Sequence, residues 1–133
     1  MHPPHQGSCL CGAVSYQVDG ALKAVTHCHC HKCQKGHGAA FATYASTPRS
    51  HLVIRDPGAV LKHYESSPGV LRQFCSNCGS SLFWSRTQGE FADWISIAAA
   101  TLDTPFSPPK QKHLCVQQKV AWHQILDQHP QVE

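Results

Sequence analysis

Cys75-Ser-Asn-Cys78-Gly79, read together with Cys9-Leu-Cys11-Gly12, decides how this chain folds. Two thiolates one or two residues apart can reach a single tetrahedral ion, at about 2.3 Å per zinc–sulfur bond. The glycine after Cys11 and the glycine after Cys78 fit that role, because the chain must turn sharply past the metal and glycine accepts positive φ at no steric cost. Backbone N–H groups in such turns then point at the sulfurs and stabilise their charge. Each pair is half of a site. Joined, Cys9, Cys11, Cys75 and Cys78 make a closed four-thiolate site that ties the start of the chain to its middle. A site with no open position is structural and contributes folding energy directly.

Cys28-His-Cys-His-Lys-Cys33 is different, with three thiolates within six residues. Three protein ligands and an open fourth position is the arrangement of catalytic zinc. A thiol arriving there loses its proton and becomes a directed nucleophile at neutral pH. The competing reading closes the site with His27, His29, His31 or Cys115 as the fourth ligand. Spacing alone also allows the clusters to regroup between two zinc ions.

Working outward, 133 residues suit one domain, 1–133, with the motif-bearing part at about 5–128. Two domains of that size would each bury too little. No apolar run approaches the roughly 18 to 20 residues of a membrane span. The opening Met1-His-Pro-Pro-His lacks the basic and apolar regions of a secretory signal, so a cytoplasmic setting is expected. In a reducing compartment, eight close-spaced cysteines point to metal; in a secreted peptide the same count would point to disulfides. The formal charge of +3 is spread thinly, without the clustered basic face of a nucleic-acid binder.

Short runs of period-two alternation recur between turn residues. Val14, Tyr16 and Val18 share one strand face. Ala39–Tyr44, His51–Ile54, Ser81–Trp84 and Trp94–Ile97 read as further strands, and Val60–Glu65 and Val70–Phe74 flank the hairpin turn Ser66-Ser-Pro-Gly69. Ala98–Ala100 predicts a helical turn that the proline-rich loop Thr104–Pro109 stops. No window sustains the apolar spacing of a long amphipathic helix. The tail, carrying Val120, Trp122, Ile125 and Leu126, is expected to pack on the body, and Trp84, Trp94 and Trp122 to be core. Cys115 reads as a buried free cysteine. The fold class is mainly β.

Gly7-Ser-Cys-Leu-Cys-Gly-Ala-Val-Ser-Tyr16, His27-Cys-His-Cys-His-Lys-Cys-Gln-Lys35 and Arg72-Gln-Phe-Cys-Ser-Asn-Cys-Gly-Ser-Ser-Leu82, in that order, resemble the motifs of the glutathione-dependent formaldehyde-activating enzymes, a family that includes centromere protein V. Ala100-Thr-Leu-Asp103, His113 and Lys119–Asp127 resemble its closing region. The resemblance implies a zinc-stabilised β fold of the Mss4-like (β-tent) type. It also implies a structural zinc on Cys9, Cys11, Cys75 and Cys78, and a catalytic zinc on Cys28, Cys30 and Cys33. The implied activity is that of a carbon–sulfur lyase, joining a small thiol such as glutathione to formaldehyde or a similar aldehyde. Lys32, Gln34, Lys35, Arg49 and Arg72 are candidates to hold the carboxylates of the thiol, by proximity to the motifs. A non-catalytic zinc module, or a thiol carrier without turnover, is the alternative function.

Overall fold

The computed structural model describes residues 4–133. Its first sheet has three antiparallel strands, β1 (His5–Ser8), β2 (Ser15–Val18) and β5 (Leu52–Arg55), in the order β1-β2-β5. Seven strands make the second: β3 (Lys23–Cys28), β4 (Ala42–Pro48), β6 (Leu61–Ser67), β7 (Val70–Cys75), β8 (Ser81–Arg86), β9 (Trp94–Ala98) and β10 (Gln111–Leu114). Their order is β10-β3-β4-β9-β8-β7-β6, antiparallel except where β10 runs parallel to β3. Residues 130–132 continue past β10, with Val132 N–H donating to the His113 carbonyl at 2.8 Å.

Alternation places the core between the sheets. Val14, Tyr16 and Val18 from the small sheet side meet Leu82, Phe83, Ile95 and Ile97 of the large sheet, all buried. Gly7 on β1 is required there: a Cβ would stand 2.2 Å from the Tyr16 ring. The Tyr16 hydroxyl closes the end of this layer on Thr101 Oγ1 at 2.7 Å.

The predicted hairpin forms, with β6 and β7 in register from Leu61↔Cys75 and Gly69 at φ +77° in its turn. The turn at Asp56-Pro-Gly58 is fastened by the Asp56 carboxylate, which accepts from Val60 and Leu61 N–H at 2.9 Å each. A 3-10 turn at Ala99–Thr101 stands where a helical turn was expected.

Four features differ from the sequence reading, the first being that Trp84 and Trp94, expected in the core, are only half-buried. Residues His31–His37 form a helix, α1, that has no apolar stripe; its N-cap is Cys30, whose sulfur accepts from Cys33 N–H, and its C-cap is Gly38 at φ 61°. Val120 is buried, but Trp122 and Leu126 are 81% and 78% exposed, so the tail packs through its backbone and Val120 rather than through those side chains. Cys115 is half-buried and turns the chain out of β10 at φ 57°. No helix among the described residues is long and apolar enough to cross a membrane.

Candidate metal centres

The fold brings Cys9, Cys11, Cys75 and Cys78 together, with their sulfurs all within 4.8 Å of one another. Cys11 Sγ stands 3.7 Å from Cys9 Sγ and 3.8 Å from Cys75 Sγ. A tetrahedron with zinc–sulfur bonds of about 2.3 Å has edges of about 3.8 Å, whereas a disulfide would hold its sulfurs at about 2.0 Å. The spacing therefore fits a metal and not a disulfide.

The turns around this site do what their glycines predict. Gly12 and Gly79 have φ +80° and +83°. Val14 N–H reaches Cys9 Sγ at 3.3 Å, and Asn77 Nδ2 reaches Cys11 Sγ at 3.2 Å. The Asn77 amide and then the Ala13 N–H lower the Cys11 thiol. The Ser80 hydroxyl and N–H hold Cys78 down to about 5. Donors thus favour the thiolate form at Cys11 and Cys78, whereas burial pushes the Cys75 thiol up to about 11.

Cys28, Cys30 and Cys33 form the second group, also within 4.8 Å, and no histidine nitrogen or carboxylate oxygen joins it among the described residues. Cys28 ends β3, Cys30 caps α1 and Cys33 lies buried in its first turn. Local geometry alone gathers three sulfurs. Arg72, on β7, lays its guanidinium against Cys33 Sγ at 3.6 and 3.7 Å. Its Nε donates to Ser66 Oγ at 2.9 Å, and Nη1 reaches the Tyr44 hydroxyl at 3.4 Å. Contacts with Cys28, Cys30 and Arg72 hold the Cys33 thiol well below the ordinary thiol range. Burial keeps the neighbouring Tyr44 protonated, its hydroxyl 3.0 Å from His37 Nε2. A cleft of about 290 Å³, lined by His37, Tyr44 and Arg72 among others, opens here.

The other residues singled out from the sequence are placed differently. Lys32 is exposed on α1 and hydrogen-bonds Ser67 Oγ. Gln34 turns inward, its amide donating to the carbonyls of His29 at 2.6 Å and Gln118 at 2.9 Å, which pins the cysteine loop. Lys35 is exposed on the rim of a groove shared with Trp122. Arg49 donates to the carbonyls of Ala92 and Arg86. It follows the far end of β4 from Ala42, the partner of Cys28, with about 20 Å of strand between. Arg72 alone of the five reaches a cysteine sulfur with its side chain.

Sequence reading did not find the hydrogen-bonded chain behind the second group, buried at His29 and His113 and exposed at Asp127. The carboxylate of Asp127 accepts from His113 Nε2 at 3.0 Å, and His113 Nδ1 meets His29 Nε2 at 2.8 Å. An ionised carboxylate only accepts, so His113 carries its proton on Nε2 and, when neutral, its Nδ1 accepts a hydrogen bond donated by His29 Nε2–H. His29 Nδ1 is left as a lone pair, fully buried and without a partner. Burial, then its neighbours led by His113, lowers His29 to about 4, so it is neutral near pH 7. The signal in the sequence was the unusual run of histidines, whose partners lie about 84 residues away.

Comparisons with known proteins place the chain in a family. The family model of the glutathione-dependent formaldehyde-activating enzyme matches residues 4–118. A Halomonas elongata protein provisionally named for that activity is 30% identical over 90% of this chain and 80% of its own length. A Schizosaccharomyces pombe protein named as an uncharacterized lyase is 27% identical over 66% of this chain, and the match spans 62% of that protein. A crystal structure of a Rhodobacter sphaeroides protein shares the fold, with a TM-score of 0.62 and 22% identity over 76% of this chain and 90% of that one.

Proposed function

The chain belongs to the glutathione-dependent formaldehyde-activating enzyme family, and from that premise we propose that it is a zinc-dependent carbon–sulfur lyase. It joins a small thiol of the glutathione kind to formaldehyde or a similar aldehyde, or runs the reverse. The observation that supports this reading is the inequality of the cysteine groups: four donors in one, three in the other, with an arginine on the third sulfur. Cys9, Cys11, Cys75 and Cys78 hold a structural zinc, and Cys28, Cys30 and Cys33 a catalytic one. A zinc held by Cys28, Cys30 and Cys33 would supply a position at which an incoming thiol is deprotonated at neutral pH.

The chain's own residues do the rest. Arg72 offsets the negative charge that three thiolates gather and points spare donors at an incoming carboxylate or oxyanion. Gln34 and the His29–His113–Asp127 chain fix the cysteine loop from behind. In the addition, the thiol sulfur bonds to the carbonyl carbon, the C=O pair moves to oxygen, and that oxygen takes up a proton. Tyr44, kept protonated by burial and beside the Arg72 guanidinium, is a neutral donor next to Cys33. Thiols kept reduced suit the cytoplasm.

The test loads the protein with zinc, titrates glutathione, then adds ¹³C-formaldehyde and follows S-hydroxymethylglutathione exchange by NMR. Binding with accelerated exchange is the expected result. Binding without acceleration makes the protein a carrier, and no binding leaves only a structural module.

A further inference from the structure

The large sheet has a second face, turned away from the small sheet, that is covered at one end only. Cross-strand register places Lys23, Ser46, Ser96, Trp84 and Arg72 in one row across five strands. Directly opposed residues share a face. Their neighbours Ala45, Ile97 and Phe83 point the other way, into the core. At the Arg72 end of the row, α1 and Cys33 sit on top. Towards the Lys23 end the face is open, as a cleft of about 440 Å³. That volume lies in the ordinary range for small-molecule sites.

The cleft has a definite chemistry. Trp84, Trp94 and Phe91 supply its walls, and Phe91 is 60% exposed with no side chain over it to account for that. The Arg86 guanidinium stands 5.2 Å over the Trp84 ring, and Lys23 lies at the far rim. Among the described residues neither cation meets a carboxylate; the ion pair between His113 and Asp127 lies elsewhere. Ser46 and Ser96 hydroxyls, 3.1 Å apart, are the polar part of the floor. Three aromatics between two unpaired cations fit an apolar body with an acid group. They do not fit a polar tripeptide, whose amides would find few partners.

Trp84 ties the cleft to the chemistry, because it also packs on the cluster of Cys33, Ala42 and Tyr44. From Trp84 to Lys23 is three interstrand steps, about 14 Å. We propose that this cleft holds the apolar body of an acid-bearing aldehyde, aryl or long-chain, whose carbonyl end reaches the three-cysteine site. The link to catalysis rests on the lyase reading above; the binding of an apolar acid does not.

The probe is 2-naphthoate, with 2-naphthalenemethanol as its neutral counterpart, read by the indole N–H signals of Trp84 and Trp94. The acid is expected to shift both signals and to bind at least fivefold more tightly than the alcohol. Arg86→Gln, at an exposed side chain, is expected to remove that preference, and Lys23→Gln to reduce it. Equal binding of acid and alcohol, or shifts that follow protein concentration because a second copy fills the cleft, overturns the proposal. A second arm compares formaldehyde with 6-formyl-2-naphthoate as partners for glutathione in the zinc-loaded protein. Turnover of formaldehyde without 2-naphthoate binding overturns the cleft alone. Binding of 2-naphthoate with turnover of neither aldehyde overturns the lyase reading and leaves an apolar-acid site.

Discussion

The two cysteine groups differ in what gathers them. Cys28, Cys30 and Cys33 meet through one strand end and one helical turn, so little of the chain must be ordered to bring them together. Cys11 and Cys75 meet across 64 residues, and closing such a loop costs several kcal/mol of chain entropy, about 3.7 by (3/2)RT ln n alone. On the proposed reading, a metal on Cys28, Cys30 and Cys33 would organise a site, and one on Cys9, Cys11, Cys75 and Cys78 would organise the fold.

The sharpest way to break that contrast is Cys78→Ala. Structural zinc contributes roughly 10–16 kcal/mol in small domains, as much as the whole stability of an ordinary one. The variant is expected to be unfolded or insoluble by circular dichroism, and to carry no zinc at the structural site by metal analysis. A folded variant with a normal thermal midpoint would remove the structural role.

Acid separates the groups by a different route. His29 has its folded value lowered to about 4, chiefly by burial and next by His113. Folding therefore holds it neutral while the unfolded chain takes up a proton below about 6.5. Its contribution is complete above pH 6.5 and is lost as pH falls towards 4, up to about 3 kcal/mol. Urea unfolding at pH 7 and pH 5 is expected to show the loss, and His29→Gln to flatten the slope. A slope that His29→Gln leaves unchanged would trace the acid sensitivity to the thiolates instead.

Cys30→Ala probes the local group directly. It removes one sulfur and the N-cap of α1, worth about 1 kcal/mol. Zinc is expected to fall from two ions to one, thiol binding to disappear, and the circular dichroism spectrum to persist. Unfolding equal to that of Cys78→Ala would erase the distinction between the groups.

How much of this was legible beforehand follows the same division. The alternation of Val14, Tyr16 and Val18, and of Ile95 and Ile97, announced strands because one face of each is buried. The glycines after Cys11 and Cys78 announced turns because glycine accepts the positive φ that such turns need. Helix α1 was silent, since it is held by a sulfur cap and Gly38 instead of an apolar stripe. Trp122 misled because hydrophobicity says what can be buried, not what finds a neighbour. Arg72 was singled out beforehand as a carboxylate holder, but its contact with Cys33 and the His29–His113–Asp127 chain were out of reach: the partners are 39, 84 and 14 residues away, and no local spacing encodes such contacts.

Arg72 supplies the smallest and most selective test. Its guanidinium makes a fork, two nitrogens on Cys33 with Nε on Ser66, that an ammonium cannot copy. Arg72→Lys keeps the charge beside the thiolate but gives up the bidentate geometry, so zinc should stay and folding should change by less than about 1 kcal/mol. Thiol turnover should fall about tenfold, which is about 1.4 kcal/mol in the barrier. If Arg72 acts on the thiolate, the loss lies in kcat; if it holds a substrate carboxylate, it lies in KM and vanishes with a thiol that has none, such as 2-mercaptoethanol. Arg72→Gln removes the charge as well and should add to the first effect only. An Arg72→Lys variant with both constants unchanged would make the arginine a packing residue, and the three-cysteine group would then have to manage its charge with sulfur donors alone.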